Sequence, residues 1–438
     1  MWNTDVANCN KMKIAIINKS DSTGGAAVVS RRLMEALRKQ GADARMLVAE
    51  KLTDSPYVEK AAEGLRLKLP FLKERLGIFI ENGFNRETLF KIDTGADGLP
   101  LWRHPLVADA DAILLNWVNQ GFLSLKGVAK IAELGKPVIW TMHDMWNMTG
   151  ICHHAGDCNH FRMECGDCRL MGKHRGRHDL SRRVWLKKRE LLPGSICYVA
   201  VSNWLASKAR DSKLLGESRI EVIPNAFPMK PSERTERQPE RPLRLLFGAA
   251  RLDDPIKGLP VLVEMTKAIV RKYPDLAGRI EIVTFGGVKN PDSMTGMAIP
   301  HRHLGMLRGD EEVRRVYEES DVLVSASSYE TLPGTLVEAQ AYGCIPVSFN
   351  QGGQRDIVDH LTTGYIAEYS SDPSEAASRL ADGVAWAAGI ISDSETYGNM
   401  LEKMRKSVSE RFSGESVAEA YLQLIKSLPP DKGMLNRN

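Results

Sequence analysis

Short apolar runs alternate along this chain with longer segments whose apolar residues recur every three or four positions. The first run, Lys13–Asn18, precedes such a segment, and four more runs follow it in the first half. After residue 240 the alternation begins again, with runs at Leu243–Arg251, 279–287, 321–328 and 344–350. Strands that alternate with helices of about 10–15 residues are typical of parallel sheets covered on both faces. The pattern predicts an α/β fold with two doubly wound, Rossmann-like domains.

A segment rich in proline and charge separates the two halves and is typical of a linker. The predicted organisation is therefore an N-terminal tail (1–11), a first domain (12–225), a linker (226–242), a second domain (243–412) and a C-terminal helix with a short tail (413–438). Ligands of such sheets bind beyond the carboxyl ends of the strands, so we expect the domains to face each other across a cleft. The last helix is expected to cross back onto the first domain.

Composition narrows the class of protein. A single core stops growing at roughly 250–300 residues, so two domains are expected for 438 residues. The net charge is only +4, which does not argue for nucleic acid as a partner. No apolar run approaches the ~18 residues of a membrane span, and no signal peptide is evident, which predicts a cytoplasmic location.

The stretch SASSYETLPGTLVEAQAYG (325–343) joins an apolar run to a helical segment. Pro333 suits the first helical position, so the N–H groups of Gly334, Thr335 and Leu336 are expected to be unpaired. A helix N-terminus favours phosphate. Glu330 and Glu338, on either side, could accept hydrogen bonds from sugar hydroxyls, which predicts a site for a nucleoside diphosphate sugar.

Chance alone could also place two glutamates eight residues apart, and Glu338 could simply stabilise its own helix. Arg251 and Lys257 favour the binding site, because both follow the first apolar run of the second half. An Arg binds two phosphate oxygens with its planar fork, and a Lys supplies a point charge. Two solvated surface cations are the alternative interpretation.

These residues, in this order, resemble the retaining glycosyltransferases of family 4, which have the B-type two-domain fold. The resemblance runs from about 13 to 428 and is densest between 243 and 369. It implies that Glu330 contacts the transferred sugar, Glu338 the ribose, and Arg251 and Lys257 the diphosphate. It further implies that the base lies near Met306 and Leu307, with amides of the turn around Pro333–Leu336 completing the cradle. Pro333 stands where the family often has Gly, so which amides donate is left open.

The first domain carries matching features. Gly24 and Gly25 open a helix after the first apolar run, where backbone could approach the donor phosphate and the acceptor. His143 and Asp144 end another run, and the resemblance implies that His143 lies near the donor sugar. A histidine with a purely structural role is the alternative.

The resemblance also implies retention of anomeric configuration, with the acceptor hydroxyl attacking on the face from which the diphosphate leaves. No catalytic cofactor is expected, because no suitably placed Asp-x-Asp motif is present. The predicted partners are a nucleoside diphosphate sugar and a saccharide or lipid-linked saccharide of surface polysaccharide synthesis. A nucleotide-sugar epimerase of the same fold and a non-catalytic nucleotide-sugar sensor remain as alternatives.

Four cysteines lie within 152–168: Cys152, Cys158, Cys165 and Cys168. In a cytoplasmic protein such a cluster favours metal over disulfides, so a structural zinc is predicted, with His153, His154 or His160 as substitute ligands. Four unligated thiols are the alternative.

Two segments, Leu65–Ile80 and Lys173–Leu192, are both basic and apolar. Such segments can rest on anionic lipid, which would place the protein at the cytoplasmic face of the inner membrane. A solvated helix face is the alternative for each.

Overall fold

The computed structural model describes residues 11–227, 230–234 and 241–429. Two compact units make up this part of the chain. Unit 1 comprises the described residues up to Ala226 together with those from Gly414 onwards, and unit 2 runs from Phe227 to Ser413. Residues 1–10 of the predicted tail, and 228–229 and 235–240 of the predicted linker, lie outside the described residues.

Unit 1 is built on a seven-stranded sheet in which every paired strand is parallel. The strands are β1 (Lys13–Ser20), β2 (Asp43–Glu50), β3 (Val58–Lys60), β4 (Ala112–Leu115), β5 (Val138–Met142), β6 (Cys197–Ala200) and β7 (Ile220–Val222). Their order in the sheet is β3-β2-β1-β4-β5-β6-β7. The central strands are fully buried, which accounts for their unbroken apolar sequences.

The helices of unit 1 include one from the far end of the chain. They are α1 (Gly25–Lys39), α2 (Leu65–Glu81), α3 (Pro105–Ala108), α4 (Leu125–Ala132), α5 (Leu180–Leu191), α6 (Asn203–Asp211) and α13 (Gly414–Ser427). Helix α13 packs on α1, and its apolar face joins the core of unit 1 through Val417, Tyr421 and Ile425. The Tyr421 hydroxyl lies 2.8 Å from Thr141 Oγ1 of β5.

Unit 2 repeats the same architecture with a six-stranded parallel sheet in the order β10-β9-β8-β11-β12-β13. The strands are β8 (Leu243–Arg251), β9 (Ile280–Gly287), β10 (His301–His303), β11 (Val322–Ser325), β12 (Ile345–Phe349) and β13 (Tyr365–Ala367). The helices are α7 (Leu259–Lys272), α8 (Pro274–Ala277), α9 (Asp310–Glu318), α10 (Gly334–Tyr342), α11 (Pro373–Ser392) and α12 (Ser394–Phe412).

Each sheet reverses its strand order at one point. The reversal lies between β1 and β4 in unit 1 and between β8 and β11 in unit 2. At such a point the connecting loops diverge and leave a crevice beyond the carboxyl ends of the strands. The predicted α/β fold class is confirmed, and the reversals locate the candidate site of each unit.

None of the helices within residues 11–227, 230–234 and 241–429 combines the length and the apolar character required to span a bilayer.

Candidate functional site

In unit 2 the loop after β11 carries Glu330 in a fixed backbone position. The residue pairs with Gly352 as a parallel bridge, and the N–H of Gly353 donates to its carbonyl oxygen at 2.9 Å. Gly352 has φ +132, and a Cβ there would lie 2.1 Å from the Glu330 carbonyl oxygen. Only glycine therefore permits this approach, which fixes Glu330 at the carboxyl edge of the sheet.

Lys257 reaches Glu330 from the neighbouring loop, which follows β8. Its Nζ donates to Glu330 Oε1 at 2.5 Å, and both side chains are partly exposed. The next residue, Gly258, has φ +74, and a Cβ there would lie 2.2 Å from the Ala326 carbonyl oxygen. Because glycine allows the two loops to touch, the lysine and the glutamate form an ion pair at the reversal point of the sheet.

Helix α10 begins beside this pair and exposes backbone donors. Pro333 is the residue before the helix, not its first residue as predicted, and the helix has no side-chain cap. The Leu336 N–H donates to the Pro333 carbonyl oxygen at 3.1 Å, so this amide is not among the unpaired ones. Within the described chain the N–H groups of Gly334 and Thr335 have no acceptor. Two amides and the positive end of the helix dipole are thus available to an anion.

Gly334 has a packing role as well. A Cβ on Gly334 would lie 2.8 Å from the ring of Phe227, the first residue of unit 2. The structure shows that the start of α10 also needs glycine in order to accept the phenylalanine ring.

The remaining residues predicted in unit 2 lie around the same edge of its sheet. Glu338, one turn into α10, accepts a hydrogen bond of 3.1 Å from the buried Tyr317 hydroxyl. Arg251 ends β8 with an exposed side chain whose Nε lies 3.3 Å from Asp253 Oδ1. Met306 is exposed and Leu307 half-buried, in the loop after the short strand β10.

Unit 1 presents a second helix N-terminus at its own sheet reversal. Gly24, with φ +87, precedes α1, and a Cβ on either Gly24 or Gly25 would meet no atom within 4 Å. Lys19, near the end of β1, was not predicted. Its Nζ donates to the Gln120 carbonyl oxygen at 3.2 Å, and burial lowers its pKa. The sequence feature that could have identified Lys19 is its position, since it is a cation at the carboxyl end of an apolar strand.

His143 follows β5 and is held by Asn116, which follows β4. Its Nε2 lies 3.0 Å from Asn116 Oδ1, an acceptor, so the proton is on Nε2. Burial lowers the pKa of His143 to about 4 despite the neighbouring Asp144. The imidazole is therefore neutral at pH 7, so it introduces no charge, and its Nδ1 is an acceptor.

His153 lies ten residues further along the chain and contacts two carboxylates, a connection that no sequence pattern predicts. Its Nδ1 is 2.7 Å from Asp144 Oδ2, and its Nε2 is 2.7 Å from Asp93 Oδ2. Burial alone would lower the pKa of His153, but Asp144 and Asp93 raise it to about 10. With both ring nitrogens protonated, His153 donates one hydrogen bond to each carboxylate.

The four cysteines of the predicted zinc site form no disulfide in the structure. All four are free thiols, and in the described chain no three His, Cys, Asp or Glu side chains could together hold a metal ion. Burial raises the pKa of Cys152 to about 12 and that of Cys165 to about 11. The zinc remains a prediction from spacing, and metal analysis of protein purified without a metal-affinity resin tests it.

Taken together, the edge of the sheet in unit 2 offers two glutamate carboxylates, two cations and, within the described residues, two amides without an acceptor. Cations and amides bind oxyanions, while a carboxylate accepts hydrogen bonds from hydroxyl groups. The arrangement suits a ligand that carries phosphate next to a polyhydroxylated group.

Two family models match the chain, one in each half. The model described as Glycosyltransferase Family 4 matches residues 23–229, and the model described as Glycosyl transferases group 1 matches residues 243–384. The D-inositol 3-phosphate glycosyltransferase of Corynebacterium urealyticum is 24% identical over 350 residues, covering 74% of this chain and 77% of the relative. The putative colanic acid biosynthesis glycosyl transferase WcaC of Escherichia coli is 21% identical, covering 70% of this chain and 74% of the relative.

Solved structures share the fold over nearly the whole chain. A glycosyltransferase from Rickettsia africae superposes with a TM-score of 0.62 at 14% identity, covering 96% of this chain and 99% of its own. Anabaena Alr3699/HepE, solved in complex with UDP and glucose, superposes with a TM-score of 0.56 at 14% identity, covering 95% of this chain and 100% of its own. At these identities the likeness concerns the fold alone.

Proposed function

Because the chain belongs to the family 4, group 1 glycosyltransferases, we propose that it moves a sugar from a uridine diphosphate sugar to a saccharide acceptor of surface polysaccharide synthesis, with retention of configuration. Transfer of a glycosyl group follows from the family. The donor and acceptor classes are the proposal, supported by the UDP and glucose bound to Anabaena Alr3699/HepE and by the relative named for colanic acid biosynthesis.

The ion pair between Lys257 and Glu330, beside the open amides of α10, is the observation that carries the proposal. The diphosphate would lie on the Gly334 and Thr335 amides, with Lys257 and Arg251 neutralising its charge. Glu330 would then accept hydrogen bonds from the sugar hydroxyls and orient the ring. Donors held in place before the reaction stabilise the charge that develops on the departing diphosphate.

The reaction balances without another catalytic group. The acceptor oxygen forms a bond to the anomeric carbon while the bond from that carbon to the phosphate oxygen breaks. The hydroxyl proton passes to the departing phosphate oxygen, and UDP leaves. Lys257 favours this step because its positive charge stabilises the oxygen that takes up the negative charge.

Release of free UDP from a panel of UDP-sugars, measured with and without candidate saccharides, tests the proposal. We expect UDP to stabilise the protein against heat, because a ligand of the folded state does so by mass action. We further expect release of UDP to rise when the correct acceptor is present. Conversion of the donor to its epimer without acceptor would instead identify an epimerase, and stabilisation without any turnover would identify a sensor.

A further inference from the structure

Helix α2 (Leu65–Glu81) carries a row of large apolar side chains that face away from unit 1. They are spaced at helical intervals and are between 50 and 80% exposed. The row consists of Leu65, Leu69, Leu72, Leu76 and Ile80. At about 100° per residue these positions fall within roughly 80° of arc and extend over ~22 Å along the helix. Exposed apolar residues normally occur singly, whereas this row is continuous.

The opposite face of the same helix is firmly attached to unit 1. Glu74 is buried and accepts hydrogen bonds from the Thr94 N–H at 2.9 Å and the Gly95 N–H at 2.8 Å. Arg75 is also buried and donates to Asp93 and to the Leu89 carbonyl oxygen. Because these bonds fix the rotation of the helix about its axis, the apolar row cannot turn towards the core of unit 1 and stays exposed.

The charged side chains of α2 that border the row are all positive. Arg66 and Lys73 lie along one side of it and Lys68 along the other, and all three are exposed. Of the two acidic residues of α2, Glu74 is buried and Glu81 pairs with Arg183 at 2.6 Å. An apolar row bordered by long cationic side chains on both sides is suited to the boundary between acyl chains and anionic headgroups.

The other basic and apolar segment of unit 1 does not share this feature. In α5 (Leu180–Leu191) the apolar residues Val184 and Trp185 are buried, and the exposed positions are charged. This is a solvated face, as the alternative interpretation held. Of these two helices, α2 is the one whose apolar residues form an exposed row.

The position of α2 relates the row to the point at which the sheet of unit 1 reverses its strand order. Gly121, in the loop after β4, approaches the helix so closely that a Cβ would lie 2.5 Å from the Phe71 amide nitrogen. Lys19, near the end of β1, places its Nζ 5.5 Å from the centre of the Phe71 ring. Helix α2 therefore lies on the loops that leave the reversal point of the sheet in unit 1.

From the exposed apolar row and its cationic borders, we propose that α2 docks unit 1 on the surface of an anionic lipid bilayer. The row enters the boundary between headgroups and acyl chains, and Arg66, Lys68 and Lys73 contact the phosphates. Docking leaves the loops after β1 and β4 beside the membrane, where an acceptor carried on a lipid would be presented to them.

Co-sedimentation of the full chain with vesicles tests this proposal without any turnover. We expect binding to phosphatidylcholine vesicles that contain phosphatidylglycerol, and weaker binding to phosphatidylcholine alone. The triple variant Leu69→Gln, Leu72→Gln, Leu76→Gln should lower the partition coefficient at least about tenfold, because it removes most of the apolar area that enters the lipid. The matched triple variant Leu52→Gln, Met163→Gln, Leu361→Gln alters equally exposed apolar residues elsewhere and should bind like the unaltered chain.

The charge variant Arg66→Gln, Lys68→Gln, Lys73→Gln separates the two contributions. It should lose binding to the anionic vesicles, as should the unaltered chain in high salt, because exposed charges are screened. Equal vesicle binding by the apolar variant and the unaltered chain would overturn the proposal. A second outcome would also overturn it: the unaltered chain does not bind vesicles but forms a dimer in sedimentation velocity, and the apolar variant does not form that dimer. The row would then contact a second copy of the chain. Each variant should melt at the same temperature as the unaltered chain and should gain the same stability from UDP, which verifies that it is folded. Because vesicle binding is measured without turnover, its failure does not bear on the donor assignment.

Discussion

Glu330 and Lys257 are the residues whose replacement we expect to reduce turnover most. Glu330→Gln removes the charge that Lys257 pairs with and weakens the acceptor offered to sugar hydroxyls. Lys257→Ala removes the cation beside the departing phosphate. Loss of one such electrostatic contact typically costs about 100-fold or more in kcat, which is the expected reduction for each variant.

Steady-state release of UDP with acceptor present measures this effect. Lys267→Ala is the matched control, because Lys267 is an exposed lysine of unit 2 that pairs with Glu264 on α7. The control should retain full activity. A folded Glu330→Gln or Lys257→Ala protein with near-normal kcat would contradict the assigned site.

Gly258→Ala tests whether the contact between the two loops depends on glycine. The residue has φ +74, and a methyl group would collide with the Ala326 carbonyl oxygen. A non-glycine residue held in this region costs about 1–3 kcal/mol, before any cost of the collision is added. We expect a lower melting temperature and reduced turnover, because Lys257 would be displaced from Glu330.

For Gly278→Ala, in the same unit, we expect the opposite change in stability. Gly278 has φ −69 and open space around its Cβ position, so alanine should raise stability by about 0.4–1 kcal/mol. Thermal unfolding of both variants measures the difference. A Gly258→Ala protein as stable as Gly278→Ala would show that the loop contact tolerates a side chain.

Among the elements of unit 2, the buried carboxylate of Asp321 holds the first described segments of the unit through ion pairs. Asp321 directly precedes β11 and pairs with Arg234 and with Arg241, at 2.7 Å for the latter. It also accepts the Arg244 N–H at 2.9 Å. Removing one member of a buried ion pair typically destabilises a protein by about 3–5 kcal/mol, and we expect Asp321→Asn to lower the melting temperature accordingly.

The pH dependence of this contribution has a definite sign. Burial alone would raise the pKa of Asp321, but the hydrogen bonds from Arg241 and Arg244 and the charge of Arg234 hold it below its usual value. The folded state thus binds this proton less readily than the unfolded state. The contribution is present above the unfolded pKa and disappears as the pH falls through the folded pKa.

Melting temperatures measured from neutral to acidic pH test this expectation. The gap between the unaltered chain and Asp321→Asn should narrow in acid. Glu264→Gln, which breaks an exposed pair, should change stability by no more than about 0.5 kcal/mol at any pH. A gap that stays constant into strong acid would show that the charge of Asp321 is not the source of its contribution.

Sequence patterns predicted the inner strands of both sheets but not the edges. The runs of apolar residues correspond to β1, β2, β4, β5 and β6 in unit 1 and to β8, β9, β11 and β12 in unit 2. The four edge strands, β3, β7, β10 and β13, have three residues each. A strand of three residues that is open on one side carries no periodic signal, so its place is set by pairing with a neighbour.

The candidate site was predictable to the extent that it depends on local geometry. Glu330, Lys257 and the start of α10 follow strands, and strand ends meet at one edge of a sheet. The contacts of His153 with Asp93, 60 residues away, and of Phe227 with Gly334 have no counterpart in spacing. Such contacts depend on how separate segments pack, which a single sequence does not encode in any local pattern.

The two units of the molecule differ in whether each is formed from one continuous stretch of the chain. Unit 2 is a single stretch, Phe227–Ser413, whereas unit 1 needs α13 from beyond it. We expect a fragment of residues 227–413 to unfold cooperatively on its own. A fragment of residues 11–226 should aggregate, because it lacks the side chains of Val417, Tyr421, Leu424 and Ile425 that complete its core.

Joining residues 414–429 to the 11–226 fragment through a flexible linker should restore a folded unit 1. Circular dichroism and thermal unfolding of the purified fragments measure this. The same joined fragment with Tyr421→Ala and Leu424→Ala should fail to fold, while Glu419→Ala and Gln423→Ala on the exposed side of α13 should not matter. A cooperative fragment of 11–226 alone would contradict this account of the core.

The late arrival of α13 has a consequence for synthesis on the ribosome. The first residues of unit 1 to be made must await a helix that is encoded after all of unit 2. At translation rates of about 5–20 residues per second, the intervening segment takes roughly 10–40 s to emerge. During that time unit 2 can fold while the apolar side of α1 remains uncovered in the nascent chain. The N-terminal unit is therefore expected to be the last to mature, and the one that depends on chaperones as the chain is made.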